Sequence, residues 1–441
     1  MNNQVGSKTM ITSAVNVERH PSVSMMDPHS RPEDRNCPIN PHPHHDYRIA
    51  LYYCYLPIPT KTMVTEHVDF HNMIGQRYSL GGRVRISPEG LNGVLSGKLQ
   101  DLKRYAYDLE QELDRLHYTT ENQRKWDLDI KYCLLREDIP VEAQLFANLV
   151  AKATKTVISL VDTDESQQQR SNRRRKSEPN KVPNNPHFVA QNILDQGLHQ
   201  HKPATHLSPG EWDDYLGELT AANDPSKVIL LDCRNVYESN VGHFLVPQAS
   251  TILTNTRKYA ELPHVLLSQR DRLLQSDHIF MYCTGGVRCE RASVFLQAML
   301  ENQCNEEDSD SPGETKKKPQ IYQLHGGIQR YLEQENPSLY KGKNFVFDPR
   351  RTDPKHDNST VGTCLLCHQP HDDYDNGHAP ATNKEARCWN CRILILVCDD
   401  CRQTVACSNE VHDEALPRMY CGGKEERCLH VPPVRILNSE R

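Results

Sequence analysis

The run Cys283-Thr284-Gly285-Gly286-Val287-Arg288 puts a thiol at the head of a short loop and a guanidinium at its end. The apolar run 278–282 before it reads as a strand, and the segment from about 288 to 300 as a helix. The thiol therefore sits at the carboxyl edge of a strand, where parallel sheets hold their ligands. Thr284, Gly285 and Gly286 let the backbone curl so that several N–H groups aim at the sulfur. The positive end of the following helix points the same way, and Arg288 adds a full charge. Together these favour the thiolate, which is the attacking form. An inert cysteine buried in a glycine turn is the plainer reading. Such a turn needs neither two glycines nor an arginine around its sulfur. Cys289, in the first helical turns, is placed either to resolve a disulfide or persulfide on Cys283 or simply to pack. Asp232 and Arg234 either buttress the loop as an ion pair or bind substrate; for Asp232 the structural role is favoured.

A second constellation lies near the carboxyl end. Of 16 cysteines, nine lie from Cys364 onward, mostly as Cys-x-x-Cys pairs. That usage reads as metal binding in a reducing compartment rather than a disulfide framework. Cys364, Cys367, Cys388 and Cys391 give two knuckles, enough for one tetrahedral zinc. Cys398 and Cys401 have candidate partners in Cys407, Cys421, Cys428 and His430 for a second. Cross-braced pairing stays open. All-cysteine sets leave no position for water, so one or two structural zinc ions are expected. A third set is Arg83 and Arg85, which share one face of a strand, with Glu89 and Asn92 around the following turn. The two guanidiniums could hold phosphates. Basic and acidic residues nearly balance between residues 46 and 161, so an ordinary solvated strand face explains them as well.

The elements that position these groups follow from periodicity. Residues 1–45, rich in Pro, Ser, Asn and His, read as a disordered tail. Order begins at Tyr47. Strands are expected at 49–56, 82–86, 91–96 and 128–135, with helices at 68–77 and 99–116, an α+β ferredoxin-like (acylphosphatase-like) domain over 46–161. The polar stretch within 162–199 is a linker or insertion with a basic cluster at 173–176. From 200 to 348 short apolar strands (228–231, 278–282, 321–324) alternate with helices, an α/β domain with a parallel sheet. Ser208 caps its first helix, with Pro209 at the first position, and an acidic surface insertion fills 302–318. Residues 349–441 form the Cys-rich zinc module, with a strand at 393–397. Net charge is −6, so an RNA binder of this composition must concentrate its cations locally. Mean hydropathy is −0.71, and no apolar run reaches the ~20 residues that span a bilayer. The tail has no apolar signal-peptide core and little arginine, which points to the cytosol.

The loop from Cys283 to Arg288 resembles a rhodanese active-site loop. Residues Asp232-Cys233-Arg234-Asn235-Val236-Tyr237-Glu238 resemble an earlier loop of that fold, and Leu324-His325-Gly326-Gly327-Ile328 its closing segment. Cysteine phosphatases of related fold use a loop one residue longer. Met281 through Glu290 closely resembles the loop of the rhodanese-domain tRNA uridine hydroxylases. Gly82 through Gly97 is similar to a run in that family's ferredoxin-like domain. The likeness covers roughly 47–161 and 200–348, and the Cys-rich part in outline; the tail and the two insertions depart from it. It implies oxygen-dependent hydroxylation of the wobble uridine of tRNA at C5, with O2 as co-substrate and tRNA as partner. The Cys283 thiolate would add at C6, and Arg83, Arg85, Glu89 and Asn92 would face RNA. No flavin, haem or iron signature names the electron donor. Two further readings stand: a sulfurtransferase carrying a persulfide on Cys283, and a zinc-module adaptor with a dormant rhodanese domain.

Overall fold

A computed structural model describes residues 46–117, 126–137, 139–160, 192–193, 201–222, 227–307, 318–345, 351–352, 359–374, 387–408, 421 and 434–438. The expected tail, the basic cluster at 173–176, most of the 302–318 insertion, Cys428 and His430 lie outside them.

The chain opens with β1 (Tyr47–Tyr55), α1 (Lys61–Arg77), β2 (Gly81–Ser87), β3 (Gly90–Lys98), α2 (Leu99–His117) and β4 (Lys131–Leu135). Their sheet order, β4-β1-β3-β2, is that of the expected ferredoxin-like sandwich. Strand alternation sends Ala50, Tyr52 and Cys54 of β1 into the core, where Leu102, Tyr105, Leu109 and Leu113 of α2 meet them. Each of those leucines contributes roughly 1.5–3 kcal/mol when fully buried. α1 starts at Lys61 rather than at residue 68, because the Thr60 hydroxyl accepts from the Met63 N–H and caps it. Two short elements were not expected: α3 (Val141–Gln144) and β5 (Leu149–Ala153), which extends the sheet in parallel beside β2. Only one residue of β5 is buried, so it lacks the alternation that marks a strand.

The second domain comprises β6 (Thr205–Leu207), α4 (Pro209–Ala222), β7 (Val228–Asp232), α5 (Val236–Ser239), β8 (Gly242–Phe244), β9 (Ser250–Leu253), α6 (Leu262–Ser268), α7 (Arg270–Gln275), β10 (His278–Tyr282), α8 (Val287–Glu307), β11 (Gln320–Leu324), α9 (Gly327–Tyr331) and β12 (Tyr340–Gly342). Ser208 and Glu211 form a reciprocal cap on α4, as the sequence suggests. β9, β7, β10, β11 and β6 lie side by side and parallel. All of β7 is buried because helices cover both faces. One core gathers around Phe295 and Leu266, the other around Trp212 and Phe244. Helix α8 continues to Glu307, so the first residues of the expected insertion extend the helix instead of leaving it.

After β12 come β13 (Arg351–Thr352), the Cys-rich module with α10 (Asp399–Ser408), and β14 (Arg435–Asn438). β13 pairs with β4 of the first sheet, and β14 runs antiparallel to β9. The second sheet is therefore mixed, not purely parallel. The strand expected at 393–397 is absent: one bridge joins Arg387 to Leu394. The apolar character there reflects burial, since Leu396 packs against Val241 and Tyr374.

Candidate active site

β10 lies between β7 and β11, so its carboxyl end opens at the middle of the sheet edge. Cys283 is the next residue and has no exposed surface. The Gly286 N–H donates to its Sγ at 3.1 Å. Burial alone would push this thiol up. The Cys289 thiol, the charge of Arg288 and the N–H groups of Arg288 and Cys289 outweigh burial and bring it to about 5, so the sulfur is a thiolate at neutral pH. The loop is held from behind by α9: the Ile328 N–H donates to the Cys283 carbonyl and the Gln329 N–H to that of Thr284, both at 3.0 Å. Gly286 (φ 94°) and Gly327 (φ 68°) make this closeness possible; a Cβ on Gly327 would stand 2.6 Å from the Cys283 carbonyl oxygen.

Arg288 does not spend its charge on the sulfur alone. Its guanidinium grips Glu238 with two bonds of 2.7 and 2.6 Å, and the Thr284 hydroxyl donates to the same carboxylate. Its charge still lowers the Cys283 thiol, as the sequence suggests, together with the Cys289 thiol and the backbone N–H groups. Cys289 itself is buried, and burial with its thiol neighbours Cys233 and Cys283 keeps its own proton firmly on. Asp232 and Arg234 have no exposed surface and pair at 2.7 Å. Arg234 also donates to the Gly242 carbonyl and to Tyr340, so the pair braces the floor of the site rather than facing substrate. Val287 contributes its carbonyl, which accepts from the Tyr55 hydroxyl at 3.2 Å.

That last bond crosses domains. The face of the first sheet opposite its helices lies over the loop that Cys283 opens. Tyr53 Oη would be 2.5 Å from a Cβ on Gly286. Lys131 Nζ, on a side chain only 3% exposed, sits 2.6 Å from Asp129 and 3.4 Å from the Gly285 carbonyl. Arg330 also clasps Asp129, and His325 meets Asp127 at 3.0 Å. Glu89 pairs with Arg291 of α8 and accepts the Val157 N–H, so it joins the domains instead of offering a free carboxylate to RNA. Arg83 and Arg85 are exposed, which fits a ligand-facing strand and an ordinary solvated strand face alike. Register places Lys152, Arg85, Asn92 and Tyr53 opposite one another across β5, β2, β3 and β1. Residues so paired share one face of the sheet. A cationic and polar row therefore runs along the open face to the tyrosine over the thiolate. Sequence reasoning missed Tyr53, Tyr55 and Lys131. The spacing of the two tyrosines, on the face of β1 opposite its core residues, was a readable signal; nothing local marks Lys131.

In the Cys-rich module the Sγ atoms of Cys364, Cys367, Cys398 and Cys401 lie within 4.8 Å of one another, as do those of Cys388, Cys391 and Cys421. The grouping is cross-braced, which corrects the pairing of the first two knuckles in chain order. Cys367 and Cys398 are 3.7 Å apart, Cys391 and Cys421 3.8 Å. A tetrahedron with metal–sulfur bonds of ~2.3 Å has edges of ~3.8 Å, so the first group fits a thiolate-bound zinc and the second supplies three of its four corners. Cys421 joins Cys388 and Cys391 rather than the Cys398 pair for which the sequence offered it, and the side chain of Cys407 lies outside the described residues.

Comparison with known proteins agrees with this architecture. Residues 47–157 match the UPF0176 acylphosphatase-like domain, 215–334 the rhodanese-like domain and 341–411 the rhodanase C-terminal segment. A plant relative, rhodanese-like domain-containing protein 6 of Arabidopsis thaliana, is 30% identical over 81% of this chain, which spans 51% of that protein. The tRNA uridine(34) hydroxylase of Chlamydia muridarum is 26% identical over 90% of each chain. That of Onion yellows phytoplasma is 27% identical over 84% of this chain and 96% of its own. The chain thus carries a UPF0176-type acylphosphatase-like domain followed by a rhodanese-like domain, and over most of its length it is similar to proteins named tRNA uridine(34) hydroxylase.

Proposed function

We propose that the chain hydroxylates C5 of the wobble uridine of tRNA, with the Cys283 thiolate as nucleophile. The observation that carries this is a cysteine, in a loop that favours its thiolate, roofed by a sheet face on which a cationic row ends at a tyrosine. Uracil C5 is a poor nucleophile until something adds at C6. The thiolate adds there, and the electron pair moves to C5. C5 then takes an oxygen atom from an O2-derived oxidant; a donor supplies two electrons and two protons, and the second oxygen leaves as water. Loss of the C5 proton expels the thiolate and restores the ring. Arg83, Arg85 and Asn92 lie where they can hold phosphate and base edge, and Tyr53 where it can stack on the ring. Asp232, Arg234, Glu238 and Arg288 keep the loop rigid.

Cys283 has no exposed surface, so the sheet face must lift from the loop to admit a base. The ion pairs of Glu89, Asp127 and Asp129 are the contacts that would break and re-form. The Cys-rich module would hold up to two structural zinc ions, one in each cysteine group. No helix among the described residues is long and apolar enough to cross a membrane. A tRNA substrate fits a cytoplasmic site of action.

The rhodanese-type loop equally suits a persulfide on Cys283, which makes sulfur transfer the second reading. Mass spectrometry of tRNA nucleosides separates the two, using cells that lack the protein and are rescued with wild type or Cys283→Ala. Loss of 5-hydroxyuridine derivatives, restored by wild type alone, is the expected result. Unchanged hydroxylation with altered thiolated uridines would replace it by sulfur transfer.

A further inference from the structure

A cavity of about 470 Å³ separates the Cys-rich module from the rhodanese domain. One wall carries Arg257, Lys258 and Tyr237, the other Arg387 and Arg392, with Phe345 beside Tyr237 at a ring distance of 5.2 Å. Four cations thus line one cleft of a chain whose net charge is −6. The acidic residue among them, Glu261, already accepts the Arg257 backbone N–H at 2.8 Å. Lys258, Arg387 and Arg392 are exposed. Local concentration of cations next to aromatic rings is what a phosphodiester chain with unstacked bases recognises.

Topology locates the cleft relative to the thiolate. The sheet order β9-β7-β10-β11 sets the loops at its carboxyl edge in the same order. Arg257 and Lys258 follow β9, Tyr237 follows β7, Cys283 follows β10, and the segment after β11 holds the first domain through His325 and Arg330. A parallel bridge between Asn235 and Thr256 joins the first two loops directly. Glu238, next to Tyr237, is the carboxylate that holds Arg288. The basic row of the first domain, the thiolate and the second basic cleft therefore succeed one another along a single edge.

We propose that this cleft is a second RNA contact, which binds the sugar–phosphate backbone of the same tRNA whose base reaches Cys283. The proposal rests on the tRNA reading above. Its position is what favours RNA over an acidic peptide: a strand held at the thiolate and continued past α5 runs into the cleft, whereas a peptide has no cause to lie on that line.

The test uses the full chain and one exposed residue from each wall, Lys258→Ala with Arg387→Ala. Binding of a transcribed tRNA is followed by fluorescence anisotropy across a potassium chloride series, with zinc content, thermal melting and nucleoside analysis alongside. Two lost phosphate contacts should weaken binding and lower the slope of log K against log salt by about 1.4, at ~0.7 per contact for single-stranded RNA. Unchanged affinity and slope, with wild type binding normally, would overturn the second contact and leave the hydroxylase reading intact. Loss of binding to a polyglutamate probe with tRNA binding unchanged would overturn it in favour of an acidic protein partner. A weakened variant beside a wild type that makes no 5-hydroxyuridine would keep the contact and remove the activity. A wild type that binds no tRNA would remove both. If the double variant loses zinc or melts early, Lys258→Glu, on the rhodanese wall alone, decides by the same affinity and slope.

Discussion

At the scale of the residue, the central feature is a fully buried thiol whose surroundings favour the thiolate. Burying a lone charge is costly unless donors replace the lost solvent. Here a glycine N–H, two N–H groups at the head of α8 and a neighbouring thiol do so. The thiol is depressed from the ordinary 9 to about 5, which fixes a pH dependence. Alkylation of Cys283 by iodoacetamide, read on its own peptide by mass spectrometry, should hold its rate from neutrality down and fall with a midpoint near 5. A midpoint near the ~8.5 of a free cysteine would sink the thiolate assignment. The sign for stability agrees: a depressed acid contributes stability that is complete above its unfolded value and fades as pH falls through about 5. Glycines and a helix start around one sulfur made the loop geometry around Cys283 legible in sequence. The use of Arg288 was not, because its partner Glu238 lies 50 positions away and only the fold brings it near.

At the scale of the element, a strand face of one domain closes over the Cys283 loop of another. Gly286 is where the two meet. Alanine there would adopt a φ of 94° and bring its Cβ to 2.5 Å from Tyr53 Oη. Gly286→Ala should therefore cost about 1–3 kcal/mol in strain. Tyr53→Phe, which removes the struck atom, should recover part of the loss in thermal or urea melts. Equal stability of Gly286→Ala with and without Tyr53→Phe would mean that the face does not sit on the loop. The sandwich order could be read from alternation in 82–86 and the 3.6-residue stripe of α2, because burial on one face imprints a period. β5 and the apolar run 393–397 mislead for opposite reasons. The first is a strand with a single buried residue, the second a buried segment with no strand partner beyond one bridge.

At the scale of the whole molecule, the segment after the rhodanese core reaches both other parts: β13 joins the first sheet, and β14 joins the second. Cysteine spacing revealed the ligands but not their grouping, since interleaved and sequential pairing share the same spacings. Metal analysis distinguishes them. If each cysteine group binds one zinc, Cys364→Ser and Cys398→Ser should each lower the metal content by the same single ion, and the double variant should lose no more than either. Loss of both ions only in the double variant would restore sequential pairing. β14 has a further consequence, for biosynthesis. A ribosome delivers the β9 edge long before Arg435 leaves the exit tunnel, so for that interval the sheet presents an unpaired strand edge to a crowded cell. Nascent chains and translation products cut short before β14 would share that sticky edge, and aggregation or chaperone capture would single them out from the finished protein.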